Sequence, residues 1–262
     1  MRALSTASSG MMAMELNVQV IANNLANMTT TGYKRQRAEF QDLLYDHVSR
    51  IGTQTSAQGN ILPVGIDLGS GVKSVGTPRL MTQGTLTATG GSLDVAIRGD
   101  GFFKIQLPDG TYAYTRDGSF QMDATGRIVT AQGNVVQPTI TIPQNSTGLT
   151  INAQGQVSVI PQGTTTPQIL GQINLTRFIN QAGLLLMGDN MYQETPASGT
   201  PIDGLPATDG AGDLQQANLE QSNVDSVTEI TNLIAAQRAY EMNGKVITAA
   251  DQMLQSASNL MR

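Results

Sequence analysis

The sequence predicts an α+β chain: N- and C-terminal helices paired as a coiled coil, with a β-rich middle domain of sandwich or roll type. Three observations carry that expectation. Leu4, Ala7, Met11, Met14, Val18, Ile21, Leu25 and Met28 recur at alternating steps of three and four, the spacing that keeps one apolar seam facing a partner helix. The last stretch, from about Asn223 to Met261, has a stripe of its own. Between them, short apolar–polar alternations are punctuated by glycine turns at the spacing of roughly eight to twelve residues typical of all-β domains.

The first helix is expected from Ala3 to Met28, roughly 40 Å at 1.5 Å per residue. Gly10 and the run Asn23-Asn24-Leu25-Ala26-Asn27 make it a poor helix in isolation, firm only when its seam is buried. Thr29-Thr30-Thr31-Gly32 then ends it, with a glycine able to take positive φ. Arg37 to Val48 is expected to hold a second, shorter helix with Phe40, Leu43, Leu44 and Val48 on one side. Gly65 to Ser74 has the look of a phosphate loop, but Val72 separates the last glycine from Lys73 and breaks the spacing, so a turn is expected.

From Gly52 to about Asp213 the pattern is that of strands. Leu93-Asp94-Val95-Ala96-Ile97-Arg98 and Gln156-Val157-Ser158-Val159 alternate apolar with polar. Asp109-Gly110, Asp117-Gly118, Ala124-Thr125-Gly126, Gln132-Gly133 and Gln154-Gly155 mark turns between such runs. Gly199 to Gly212, with Pro201 and Pro206, is expected as a surface loop leading to the last helix.

That helix is expected to start at Ser222-Asn223, where either side chain can cap the first turn. Ile230, Leu233, Tyr240, Ile247, Leu254 and Met261 form one line at helical spacing; Ile234, Met242, Val246, Ala249, Met253 and Leu260 form another beside it. Two lines make a face wider than one helix covers. One line is expected to meet this chain's own N-terminal helix and the other a neighbouring subunit; a broad core face in a monomeric bundle is the competing reading. The expected assembly interface is therefore the N-terminal seam together with Ile230, Leu233, Ile234, Tyr240, Val246, Ile247, Met253, Leu254, Leu260 and Met261. The organisation that follows is a terminal helical domain of residues 1–30 and 222–262, a connecting region 31–67, and a β-rich domain 68–221.

Composition narrows the function. Charged residues are 13% of 262 and the net charge is −5, so no nucleic-acid footprint is expected. The one basic cluster, Lys34-Arg35-Gln36-Arg37, is read as a solvated turn. With no cysteine, disulfides, thiolate nucleophiles and cysteine-ligated metals are excluded. No apolar run reaches the roughly 18 residues of a membrane span, and Met1-Arg2-Ala3-Leu4-Ser5-Thr6 lacks the apolar core of a cleaved secretory signal. His47 is the single histidine, which removes histidine triads and multi-histidine metal sites. Arg98-Gly99-Asp100 is read as a turn at a strand end, and Asp94, Asp100, Asp109, Asp117 and Asp123 as hairpin residues outside any calcium-loop spacing. No catalytic, cofactor-binding or metal-ligating residue is assigned, and no enzyme activity is expected.

Four motifs in order give the chain a resemblance. Ile21-Ala22-Asn23-Asn24-Leu25-Ala26-Asn27 with Thr31-Gly32-Tyr33-Lys34-Arg35 is the first. Val95-Ala96-Ile97-Arg98-Gly99-Asp100-Gly101-Phe102-Phe103 and Tyr114-Thr115-Arg116-Asp117-Gly118-Ser119-Phe120 lie in the middle. Ser222-Asn223-Val224 with Asn232-Leu233-Ile234-Ala235-Ala236-Gln237-Arg238-Ala239-Tyr240-Glu241 closes the chain. Together they resemble the rod–hook family of bacterial flagellar axial proteins, and Phe40-Gln41-Asp42-Leu43-Leu44-Tyr45 is similar to its distal-rod version.

The resemblance implies a structural subunit that self-assembles into a tubular drive shaft carrying motor torque to the hook. It implies paired terminal helices lining the tube, a β domain facing outward, and a rod-specific insertion near Asp46 to Pro63. Its implied partners are further copies of itself, proximal rod and hook proteins at its ends, the P and L rings around it, and the flagellar export apparatus that delivers it without a cleaved signal to the basal body across the periplasm. Proximal rod or hook subunit is the nearest alternative. A β-rich cell-wall hydrolase working through two carboxylates is a remote one.

Overall fold

The computed structural model describes residues 2–49, 64–164, 166–208 and 210–260. It has a helix at each end, α1 (Arg2–Ala26) and α2 (Ser226–Leu260), and a β-rich middle. The chain divides into two compact units. One comprises Met1–Leu25, Gln36–Pro78 and Asp225–Arg262; the other comprises Ala26–Arg35 and Arg79–Val224.

In the first unit the two helices touch. Asn24 Nδ2 donates to Glu229 Oε2 at 3.1 Å, and a methyl added at Gly10 would fall 2.9 Å from Asn243 Nδ2. Fourteen residues separate Gly10 from Asn24 and, in the opposite direction, Asn243 from Glu229, so the helices run antiparallel at one register. Helix α2 begins later than expected. Asp225 caps it, its carboxylate accepting from the Val227 amide at 3.0 Å and from Thr228 Oγ1 at 2.9 Å. Asn223 is committed elsewhere, accepting from the Arg35 amide at 2.7 Å and donating to the carbonyls of Leu80 and Thr82.

Residues 37–48 are not helical. They form strands β1 (Glu39–Asp42) and β2 (Tyr45–Ser49), which pair antiparallel with β4 (Val72–Gly76) and β3 (Ile66–Gly69) respectively. Asp42 opposes Val72 and Tyr45 opposes Gly69. Between them the Leu43 amide donates to the Gly71 carbonyl at 2.8 Å and the Ser70 amide to Leu44 at 3.2 Å, making one ribbon of four strands. Gly65 to Ser74, expected as a turn, is mostly its return arm. Ile66-Asp67-Leu68 and Val72-Lys73-Ser74-Val75 alternate with period two and supply the ladder that a helix reading of 37–48 leaves out. The ribbon lies on α1, where the Val72 amide donates to Ser9 Oγ at 3.3 Å and Gly71, at φ +117°, leaves no room for a side chain beside Ser9. Of the expected insertion near Asp46 to Pro63, residues 50–63 lie outside the described residues.

Among the described residues of the second unit every ladder is antiparallel, in a nine-stranded sheet, a three-stranded sheet and two strand pairs. The short Leu86–Ala88 strand, β5, pairs with Asn218–Glu220, and β6 (Val95–Arg98) with Asp213–Gln216. At the middle of the large sheet β7 (Phe102–Gln106) pairs with β8 (Tyr112–Thr115). Alternation places neighbours on opposite faces: Phe103, Ala113 and Met191 join Val95, Ile97 and Ile105 in the larger core, while Phe102, Tyr114 and Tyr192 join Phe178 and Leu184 in a smaller aromatic one. Tyr114 meets Phe178 edge-on at 4.8 Å between centroids. Four of the five turn signals hold their place, with Gly110, Gly126, Gly133 and Gly155 at positive φ; Asp117-Gly118 is not a turn, and Gly118 instead packs against the Val95 carbonyl. The expected loop 199–212 carries one strand, Ile202–Gly204, paired with Leu175–Arg177.

Candidate assembly site

The expected interface residues lie on α1, on α2 and just beyond α1. Ala7 and Ile21 are buried; Leu4, Met11, Met14, Val18 and Leu25 are half-buried. Met28 lies past the end of α1 and is exposed. On α2, Leu233 and Ile247 are half-buried, whereas Ile230, Ile234, Tyr240, Val246, Met253 and Leu254 are exposed. The Leu260 side chain and Met261 lie outside the described residues.

The residues that α2 buries are different ones. Glu229, Ala236 and Ala250 are buried and Asn243 half-buried, one every seven residues. On α1, Gly10 and Asn24 meet this line, and the same register sets Asn17 opposite Ala236. Small and amide side chains let two backbones approach closely, and the Asn24 amide answers the buried Glu229 carboxylate. Asn24 also ties the turn after α1: its amide donates to the Gln36 carbonyl at 2.8 Å and its oxygen accepts from the Gln36 amide at 2.9 Å. A seven-residue repeat of small and polar residues was readable in the sequence, but an apolar-periodicity search passes over it. The helix contact thus consumes a narrow line and leaves most large apolar side chains of α2 uncovered.

No three His, Asp or Glu side chains among the described residues are grouped to hold a metal. A cleft lined in part by Lys104, Tyr112, Gln137, Asn174, Thr176 and Asp203 has its charges spent internally: Lys104 pairs with Asp203 at 2.8 Å and sits 4.6 Å above the Tyr112 ring. His47 is an exposed residue 2.6 Å from Asp67. No described helix is long and apolar enough to cross a membrane.

Comparison with known proteins accounts for this pattern. Residues 4–34 match the family "Flagella basal body rod protein", residues 96–159 "Flagellar hook protein FlgE/F/G D1 domain", and residues 215–260 "Flagellar basal body rod FlgEFG protein C-terminal". The chain is 55% identical to the flagellar basal-body rod protein FlgG of Caulobacter vibrioides over 99% of both chains. It is 49% identical to FlgG of Borreliella burgdorferi over 100% of this chain and 99% of that one. The chain belongs to the FlgG family of flagellar basal-body rod proteins. Against the rod protein FlgF of the same Caulobacter the identity is 36%, over 97% of this chain and 96% of that one, so FlgG is the nearer branch. A FlgG-family chain is a structural component of the flagellar basal body rather than an enzyme.

This FlgG-family chain also buries an ion cluster in its second unit. Lys34 Nζ lies 2.6 Å from Glu220 Oε1 and Arg116 Nε 2.8 Å from Glu220 Oε2, with side chains at most 5% exposed. The Gly84 amide donates to the same carboxylate at 2.9 Å. Arg116 donates further to the carbonyls of Gly99 and Gly101, and Lys34 to that of Thr82. Burial raises the Glu220 pKa, but the charges and hydrogen bonds of Arg116 and Lys34 outweigh it and hold the carboxyl below its ordinary range. Burial, with the neighbouring Arg116, lowers the Lys34 pKa despite Glu220. The reading of 34–37 as a solvated turn is therefore wrong for Lys34, because its partner stands 186 residues away. Arg37 is solvated as expected, exposed beside Glu39, but its backbone is not in a turn.

Proposed function

We propose that this chain polymerises with its own copies into the distal part of the flagellar rod, a tubular shaft that passes motor torque to the hook. In that reading α1 and α2 pair as a coiled coil on the inner side, residues 31–67 connect, and the β-rich residues 68–221 face outward. Proximal rod and hook proteins cap its ends, the P and L rings surround it, and the export apparatus delivers it across the periplasm without a cleaved signal. The observation that carries the reading is the set of exposed apolar residues on α2. Ile230, Tyr240 and Leu254 of one expected line and Ile234 and Val246 of the other are all exposed, more large apolar side chains than one helix of a free-standing monomer ordinarily leaves in water.

Two measurements test it. Leu25→Asp and Leu254→Asp place a carboxylate in the expected seams; both are expected to abolish rods while the β-rich unit stays folded, and normal rods in either strain would refute buried seams. Mass spectrometry of purified basal bodies should recover this chain in stoichiometric amount with ring and hook proteins. Its absence from those particles, with the protein present in the cell, would refute the assignment.

A further inference from the structure

We propose that the uncovered helix faces form an oxidation site: peroxide converts Met12, Met242 and Met253 to sulfoxides and thereby blocks assembly of the free subunit. The proposal rests on the assembly reading above and adds a chemical control to it. The chain has no cysteine and no tryptophan but twelve methionines, so thioethers are its readiest acceptors of an oxygen atom. They are unequally presented. Met12, Met253 and Met242 are 67%, 65% and 60% exposed, whereas Met191, in the β core, is 9% exposed.

Position gives the three their consequence. Met242, Val246, Ala249 and Met253 follow at steps of four, three and four, and all are exposed, so one apolar line of α2 carries a thioether near each end. Met12 follows Gly10 by two residues, about half a turn, and so stands on the open side of α1, away from the Gly10–Asn243 contact. In the reaction the sulfur lone pair attacks one peroxide oxygen, the O–O bond breaks, an S–O bond forms, and after proton transfer water leaves. Sulfur is oxidised by two electrons and the peroxide is reduced by two. Each flexible apolar side chain becomes a strong hydrogen-bond acceptor, which a dry helix seam cannot satisfy.

The test treats the purified full-length chain with hydrogen peroxide, maps sulfoxides by peptide mass spectrometry, and measures polymer by sedimentation and electron microscopy. Met12, Met242 and Met253 should oxidise first and Met191 last. Polymer yield should then fall about tenfold or more, since two or three buried unsatisfied sulfoxides per subunit outweigh one decade of affinity. The triple variant M12L/M242L/M253L should assemble equally before and after peroxide, although Met28, Met122 and Met187 remain exposed in it. Sulfoxidised wild-type chain that assembles at the untreated yield would overturn the oxidation proposal alone, as would a triple variant that still loses assembly. Untreated wild-type chain that fails to assemble would overturn the assembly reading itself.

Discussion

Glu220 shows how much rests on a single buried side chain. It accepts from Lys34, Arg116 and the Gly84 amide, so removing it leaves two cations in a dry site. Glu220→Ala is expected to cost the second unit about 3–5 kcal/mol, the usual penalty for breaking a buried pair, read from urea midpoints. The pH dependence has a definite sign. Because the folded-state pKa is lowered, the contribution of Glu220 is complete above the ordinary glutamate value of 4.5 and is lost as pH falls through the lowered value. Urea midpoints of the wild type should drop between pH 7 and pH 3 by more than those of Glu220→Gln. Equal drops would show that other carboxylates carry the acid sensitivity. None of this was legible from the sequence, where Lys34 stood in a four-residue basic run and Glu220 in no motif.

At the scale of elements, both helices were legible because three/four spacing is a strong local signal, and the β-rich middle because glycine turns interrupt it at regular intervals. The face that α2 gives to α1 was not. Large apolar residues dominate a periodicity reading, while Glu229, Ala236, Asn243 and Ala250 make the line α2 covers. Ala236→Leu should therefore overpack the helix contact and cost about 1–3 kcal/mol, seen as a lower melting temperature of the helical circular-dichroism signal. An unchanged melt would mean that this line bears no load. Asp225→Ala removes the α2 cap and should cost about 1 kcal/mol by the same measurement. The ribbon escaped sequence reading for a different reason. Phe40, Leu43, Leu44 and Val48 suit a helix as well as a strand, and their ladder partners lie beyond a long intervening segment.

For the whole molecule, the two units set up unequal stability. The β-rich unit owns both hydrophobic cores, while the unit with the helices leaves α2 largely uncovered. In dilute monomer, amides of α1 and α2 should exchange with deuterium much faster than those of β7 and β8; helices as protected as β7 would contradict that division. The ribbon carries a consequence of another kind. Successive residues of a strand point to opposite sides, so its reach is quantised. Shortening both arms by one residue turns everything beyond the cut upside down, and shortening one arm alone throws its rungs out of step. Only removal in twos, such as Asp46 and His47 with their opposite numbers Leu68 and Asp67, keeps the same sides up. The arm is thus a ratchet whose length changes cleanly only in clicks of about 7 Å.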